Sequence, residues 1–143
     1  MAKAFPGESL AIDFVILADA AQVSDRKLYM MGGAWTLLRP EKYPTNIPFA
    51  IAVGILVPWS ETNREHSLEF VIKASEGAIL GKGEGKFEVG RQVGLKPGVT
   101  QRLTMAISGQ MGVEAPGTYE IVVTIYGNEK RVTFEAMPPP KAK

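Results

Sequence analysis

The sequence contains no cysteine and only one histidine, His66. Disulfide bonds, thiolate catalysis and cysteine-based metal sites are therefore excluded. A lone histidine leaves a metal ion only carboxylate ligands, and the acidic residues do not group at ligand spacing. We therefore expect no metal and no other cofactor. The lack of cysteine also fits a reducing compartment, so we expect a cytoplasmic protein.

The sequence also lacks a charge excess and a long apolar run. The net charge is +1 over 143 residues, whereas a surface that binds nucleic acid or anionic lipid needs a basic excess. The longest apolar stretch, Ile47 to Trp59, is shorter than the roughly 20 residues of a membrane-spanning helix. Phe14 to Ala20 looks like part of a signal peptide, but Asp13 interrupts it. We expect neither a nucleic-acid partner nor a membrane partner.

The clearest pattern that is present is an alternation of apolar and polar residues near the C-terminus. One alternating run precedes a Gly127-Asn128 turn and another follows it, which predicts a β-hairpin with one buried face. The residues predicted to face the core are Ile121, Val123, Ile125, Val132, Phe134 and Ala136. Similar alternation predicts strands over Ser67 to Ala74 and Gln101 to Ser108.

Shorter patterns predict the other strands, which are Leu10–Ala18, Lys27–Leu38, Phe49–Val57 and Ala78–Val89. Asp19 to Arg26 is interpreted as a polar connection. Phe49–Val57 is apolar at nearly every position, as is typical of a central strand buried on both faces. The predicted organisation is a flexible arm over 1–9, one domain over 10–137 and a proline-rich tail over 138–143.

About eight short strands with turn residues between them predict a β-sandwich or a barrel. Pro116-Gly117-Thr118-Tyr119 resembles the entry to a late strand of immunoglobulin-like sandwiches, where a tyrosine near a corner bonds back to the backbone. The expected fold is therefore a single immunoglobulin-like antiparallel β-sandwich. A jelly roll is the alternative.

The densest polar cluster, Trp59 to His66, lies between two predicted strands. Rigid sheets commonly present binding residues on such loops. The candidate residues for binding a ligand or a partner are Trp59, Glu61, Asn63, Arg64 and His66. The alternative is structural: Trp59 covers the core and the charged residues pair in water. No Gly-x-Ser-x-Gly elbow accompanies the histidine, so we assign no catalytic residue.

The segment Gly81 to Gly85 lacks the strand-to-helix context of a phosphate loop. It predicts a strand whose glycine face leaves room for a neighbour such as Trp35.

Tyr29, Met30 and Met31 form a bulky stripe with Trp35, and core packing explains such a stripe best. Any part of the stripe left exposed would mark a partner surface.

Three segments together resemble a small bacterial family of uncharacterised β-sandwich domains. They are Phe14–Ala20, Lys27–Trp35 and Val57–His66, and the Pro116–Ala136 hairpin is also similar. The resemblance implies a β-sandwich in a non-secreted bacterial protein. It implies no catalytic residue, because the family has no assigned activity.

These observations favour a non-enzymatic structural or interaction protein. It is expected to assemble into a homo-oligomer or to bind a protein partner through sheet edges or apolar patches. The alternative is a small ligand- or carbohydrate-binding module that uses the Trp59–His66 loop. An enzyme ranks third.

Overall fold

The computed structural model describes residues 9–140, which form two packed β-sheets and confirm the β-sandwich. The strands are β1 (Ala11–Ser24), β2 (Lys27–Gly33), β3 (Leu37–Leu38), β4 (Thr45–Val57), β5 (Glu65–Ala74), β6 (Ile79–Glu88), β7 (Gln101–Val113), β8 (Gly117–Ile125) and β9 (Asn128–Ala136). Most of the predicted arm, residues 1–8, lies outside the described residues, as do residues 141–143 of the tail.

One sheet has four strands in the order β2-β1-β4-β7, and the other has five in the order β3-β9-β8-β5-β6. Neighbouring strands are antiparallel, except that the two-residue strand β3 runs parallel to β9. A short 3-10 turn, Trp59–Glu61, connects β4 to β5. Consecutive strands therefore either form hairpins or cross from one sheet to the other.

Strand β4 is the central strand that the sequence predicts. It pairs with β1 on one edge and with β7 on the other. Its inward side chains are almost fully buried: Phe49, Ile51, Val53, Ile55 and Val57. They share one core with the inward residues of the five-stranded sheet, which include Leu68, Ile72, Ile121, Val123 and Phe134. The prediction that the alternate apolar residues of β8 face the core is thus confirmed.

The outer face of β4 is lined by small residues. Ala50 and Ala52 have no exposed surface, although they are not part of the main core cluster. Next to them, the ring of Phe14 lies over Gly54, so closely that a Cβ at Gly54 would be 2.2 Å from Phe14 Cε2. Small residues here allow other parts of the chain to pack closely on this outer face.

The predicted polar connection Asp19–Arg26 is wrong, because β1 continues to Ser24 and forms a hairpin with β2. Only Asp25 and Arg26 form the turn, and both have positive φ (50° and 61°). Two-residue hairpin turns favour this backbone conformation because it matches the strand twist. Much of the hairpin is exposed, so no alternation of apolar residues marks its strands.

The β1–β2 hairpin folds back along the four-stranded sheet. Ala11 pairs with Leu56 and Gln101 pairs with Val57, so β1 and β7 begin at the same end of the sandwich. A straight hairpin would point to the opposite end. Instead, Arg26 Nη1 in its turn donates a hydrogen bond to Gln92 Oε1 at 3.0 Å, and both residues line one cleft with the first residues of β7. The returning hairpin explains why the outer face of β4 is buried.

The predicted strand Lys27–Leu38 is also wrong as one element, because the chain leaves the first sheet after Gly33 and enters the second at Leu37. Glycine at position 32 favours the departure. There φ is +61°, and a Cβ would be 2.3 Å from a carboxylate oxygen of Asp19. Just beyond it, the Ala34 N–H donates to the Leu17 carbonyl at 2.7 Å, which fixes where the chain turns away.

The C-terminal hairpin is confirmed, with its turn displaced by one residue. Ile125 pairs with Asn128, so Tyr126 and Gly127 form the turn, with φ of +48° and +81°. At the start of the hairpin, Tyr119 Oη donates to the Ala115 carbonyl at 2.6 Å. This is the kind of bond from a corner tyrosine to the backbone that the sequence suggests.

The glycine face of β6 is filled, but not by Trp35. The ring of Phe70 lies over Gly83, and the Met105 methyl group approaches Gly85. Trp35 instead packs edge-on against Phe134 at a centroid distance of 5.3 Å. The glycines of β6 therefore make room for side chains of this same chain.

The close contact at Gly54 gives a test of the packing. We expect Gly54→Ala to lower the free energy of unfolding by about 1–3 kcal/mol, because the new methyl group would overlap the Phe14 ring. Gly81→Ala is the matched control, since its Cβ would be 3.8 Å from Ile72 Cδ1. Urea denaturation measures both variants. Equal stability of the two variants would contradict this account of the outer face.

Candidate functional site

The segment with the predicted site residues lies at the end of the sandwich where β4 ends and β5 begins. It is shorter than the predicted polar cluster Trp59–His66, because β5 already begins at Glu65. Trp59–Glu61 forms the 3-10 turn, and Thr62 is buried at 4% exposure. Only a few residues therefore remain free of regular structure.

His66 is buried within β5, with 3% of its surface exposed. Its Nε2 is 2.8 Å from the Glu61 carbonyl oxygen, which only accepts, so Nε2–H is the donor. Tyr126 Oη lies 2.6 Å from Nδ1 and donates to it in the neutral ring. Because both ring nitrogens are occupied, His66 ties two turns together and has no free nitrogen for a ligand.

Trp59 is covered by an arginine from a distant part of the sequence. The Arg91 guanidinium lies 3.8 Å from the centre of the Trp59 ring. Arg91 Nε donates to Thr62 Oγ1 at 2.7 Å, and Nη2 donates to the Trp59 carbonyl at 2.9 Å. Trp59 therefore packs beneath Arg91 rather than in the core cluster. We call Trp59, Thr62 and Arg91 the Arg91 clamp.

The other predicted residues lie nearer the surface. Arg64 Nη1 is 3.5 Å from Glu61 Oε1, and 59% of the Arg64 side chain is exposed. Asn63 has φ of +61°, and its N–H donates to the Val89 carbonyl at 2.7 Å. The structure thus brings all the predicted residues to one end of the molecule. It leaves only the side chains of Asn63 and Arg64 largely exposed.

Sequence reasoning missed the partners of this segment: Thr62, Arg91 and Tyr126. Arg91 and Tyr126 are 29 and 60 residues from the groups they bind, so no local pattern links them. The positive φ of Tyr126 (48°) is visible only in the structure, because the sequence predicts the turn at Gly127-Asn128.

A cleft of about 390 Å³ opens beside the Arg91 clamp. Its lining comes from the β1–β2 turn, the segment that follows β6 and the first residues of β7. The sequence-predicted residues do not line it. This end of the molecule therefore combines a hydrogen-bonded cap with a neighbouring cleft.

The two packed sheets define the chain as a β-sandwich domain. Residues 13–134 match the family model of DUF6941, a family of unknown function, and the chain belongs to that family. None of the curated proteins matches the chain. In residues 9–140, no helix is long and apolar enough to cross a membrane. Membership confirms the predicted relation to an uncharacterised domain family.

The two arginines at this end should differ in their effect on stability. We expect Arg91→Ala to cost about 1–2 kcal/mol, because it removes a stacking contact and two hydrogen bonds. Arg64→Ala should change stability by less than about 0.5 kcal/mol, since its ion pair is exposed. Thermal melts and urea denaturation compare the two. A larger loss at Arg64 would show that the cap is assigned to the wrong arginine.

Proposed function

We propose that the protein is a non-enzymatic interaction protein that self-associates through β2. The observation that supports this proposal is the exposure of three large apolar side chains on that strand. Tyr29 is 52% exposed, Met30 38% and Met31 73%. We call these residues the hairpin patch. They are three of the nine large hydrophobic residues that are exposed within residues 9–140.

The hairpin patch is the exposed part of the bulky stripe. Trp35, the remaining member, packs on the core, whereas the three patch residues lie on the hairpin that folds back over the sheet. Aromatic residues and methionine are enriched at protein interfaces. Successive strand residues point to opposite faces, so Tyr29 and Met31 share one face of β2 and Met30 lies on the other. Exposed apolar side chains on one face of an edge strand favour association rather than a solvated surface.

The edges of the two sheets differ in how well they are protected. Strand β3 has two residues, and β6 carries Lys82, Glu84, Lys86 and Glu88 on its outward positions. Short length and edge charges both discourage pairing with another chain. Strand β7 is long, but its exposed residues are polar or glycine. Strand β2 is the edge that combines unpaired backbone with exposed apolar side chains.

A second copy of this chain fits the edge of β2. An antiparallel pair related by a two-fold axis and centred on Met30 would place Tyr29 of one copy opposite Met31 of the other. Methionine sulfur makes favourable contacts with aromatic rings, and cross-strand pairs stabilise sheets. Lys27 is the only charged residue of β2. Antiparallel pairing keeps the two lysines apart, and the contact is self-complementary.

A single charge on the edge should abolish self-association. We expect the unmodified protein to have the mass of a homo-oligomer by light scattering at micromolar concentration, and Met31→Lys to have the mass of a monomer. The lysine blocks pairing and desolvation of the patch. Because Met31 is exposed, its replacement should change stability by less than about 0.5 kcal/mol.

Ile79→Lys is the matched control, because Ile79 is 59% exposed and lies on the β6 edge. It makes the same kind of change on an edge that the proposal does not use, so its mass should equal that of the unmodified protein. A monomeric unmodified protein, or loss of association in Ile79→Lys alone, would refute the proposal.

The small ligand- or carbohydrate-binding module ranks second. Exposure of Asn63 and Arg64 supports it, but the bonds of His66 and the cover on Trp59 weaken it.

The Tyr119 corner bond supports an immunoglobulin-like sandwich over a jelly roll. The cytoplasmic location and the bacterial origin stay predictions.

A further inference from the structure

The cleft beside the Arg91 clamp collects three arginines from separate parts of the chain. Arg26 comes from the β1–β2 turn, Arg91 from the segment after β6, and Arg102 from β7. Glu88 is the one carboxylate among the lining residues. The cleft therefore carries an excess of positive charge, although the net charge of the whole protein is only +1.

Two of these arginines have no acidic partner in the described part of the chain. Arg102 forms an ion pair with Asp13, with Nε to Oδ2 at 2.6 Å. Within residues 9–140, no carboxylate oxygen lies within 4 Å of a side-chain nitrogen of Arg26 or Arg91. Their bonds go to neutral groups instead: Arg26 to the Gln92 amide, and Arg91 to Thr62 and a carbonyl.

Arg91 is held in place before any ligand arrives. Its guanidinium carbon lies 3.8 Å from the centre of the Trp59 ring, and two hydrogen bonds fix its orientation. A pre-ordered side chain loses less conformational entropy on binding. Guanidinium groups bind phosphate through paired N–H donors and remain charged at all physiological pH values.

We infer that this cleft binds the phosphate group of a small phosphorylated molecule. Its volume of about 390 Å³ lies within the range of small-molecule sites and exceeds what a phosphate alone would fill. Val23 and Leu103 supply apolar wall, and Gln92 and Gln101 supply amides. A ligand of about the size of a sugar phosphate matches this lining. The inference is independent of self-association through β2.

The two tryptophans provide a direct test with an internal control. Trp59 lies beneath Arg91, whereas Trp35 packs against Phe134. In a proton–nitrogen correlation spectrum, titration with glucose 6-phosphate should shift the Trp59 indole signal and leave that of Trp35 in place. Glucose, which lacks the charge, and potassium chloride at equal ionic strength should shift neither. Trp35→Phe assigns the two signals.

A pair of variants tests whether the arginines are responsible. Arg26→Gln should weaken glucose 6-phosphate binding by about tenfold, because it removes one charged donor from the cleft. Arg39→Gln removes an exposed arginine that does not line the cleft and should leave the affinity unchanged. Thermal melts confirm that both variants are folded.

Four results would overturn the inference: no shift at Trp59 with glucose 6-phosphate or inorganic phosphate up to tens of millimolar, an equal shift with potassium chloride, an equal shift with glucose, or full affinity in Arg26→Gln. The Met31→Lys variant separates this inference from the proposed function. It should bind glucose 6-phosphate normally as a monomer, so either proposal can fail without the other.

Discussion

The structure depends on the burial of β4 on both faces. Its inward side chains form the centre of the core, while Ala50, Ala52 and Gly54 on its outer face are small enough for other parts of the chain to pack close. Larger residues there would hold the β1–β2 hairpin away from the sheet. The position of that hairpin determines where the hairpin patch is exposed and brings Arg26 next to the start of β7. The candidate interaction surface and the cleft therefore share one structural cause.

Much of the sandwich follows from local sequence patterns. The alternation in β8 and β9 predicts the C-terminal hairpin, because burial on one face gives a period of two. The unbroken apolar run of β4 predicts a central strand, because burial on both faces requires apolar residues at every position. The β1–β2 hairpin leaves no such mark, since much of its surface is exposed. The sequence also does not predict that the chain changes sheets after Gly33. A glycine pair predicts a backbone irregularity but does not show which sheet the chain enters next.

The candidate site could be predicted only in part. The polar composition of Trp59–His66 predicts a candidate segment, and the structure places that segment at one end of the sandwich. The role of each side chain depends on partners that are distant in sequence: Tyr126 and the Glu61 carbonyl occupy His66, and Arg91 covers Trp59. A single sequence carries no sign of such pairings. For the same reason, the convergence of Arg26, Arg91 and Arg102 appears only once the hairpin has been placed.

Paramagnetic relaxation enhancement tests the position of the returning β1–β2 hairpin most directly. Because the chain has no cysteine, Ser24→Cys provides a unique site for a spin label beside the hairpin turn. Strand β7 spans thirteen residues, or about 40 Å at 3.3 Å per residue, so its two ends are easily distinguished. We expect strong broadening of amide signals at Gln101–Thr104 and little at the Val113 end. Broadening at the Val113 end with sharp signals at Gln101–Thr104 would contradict this position of the hairpin.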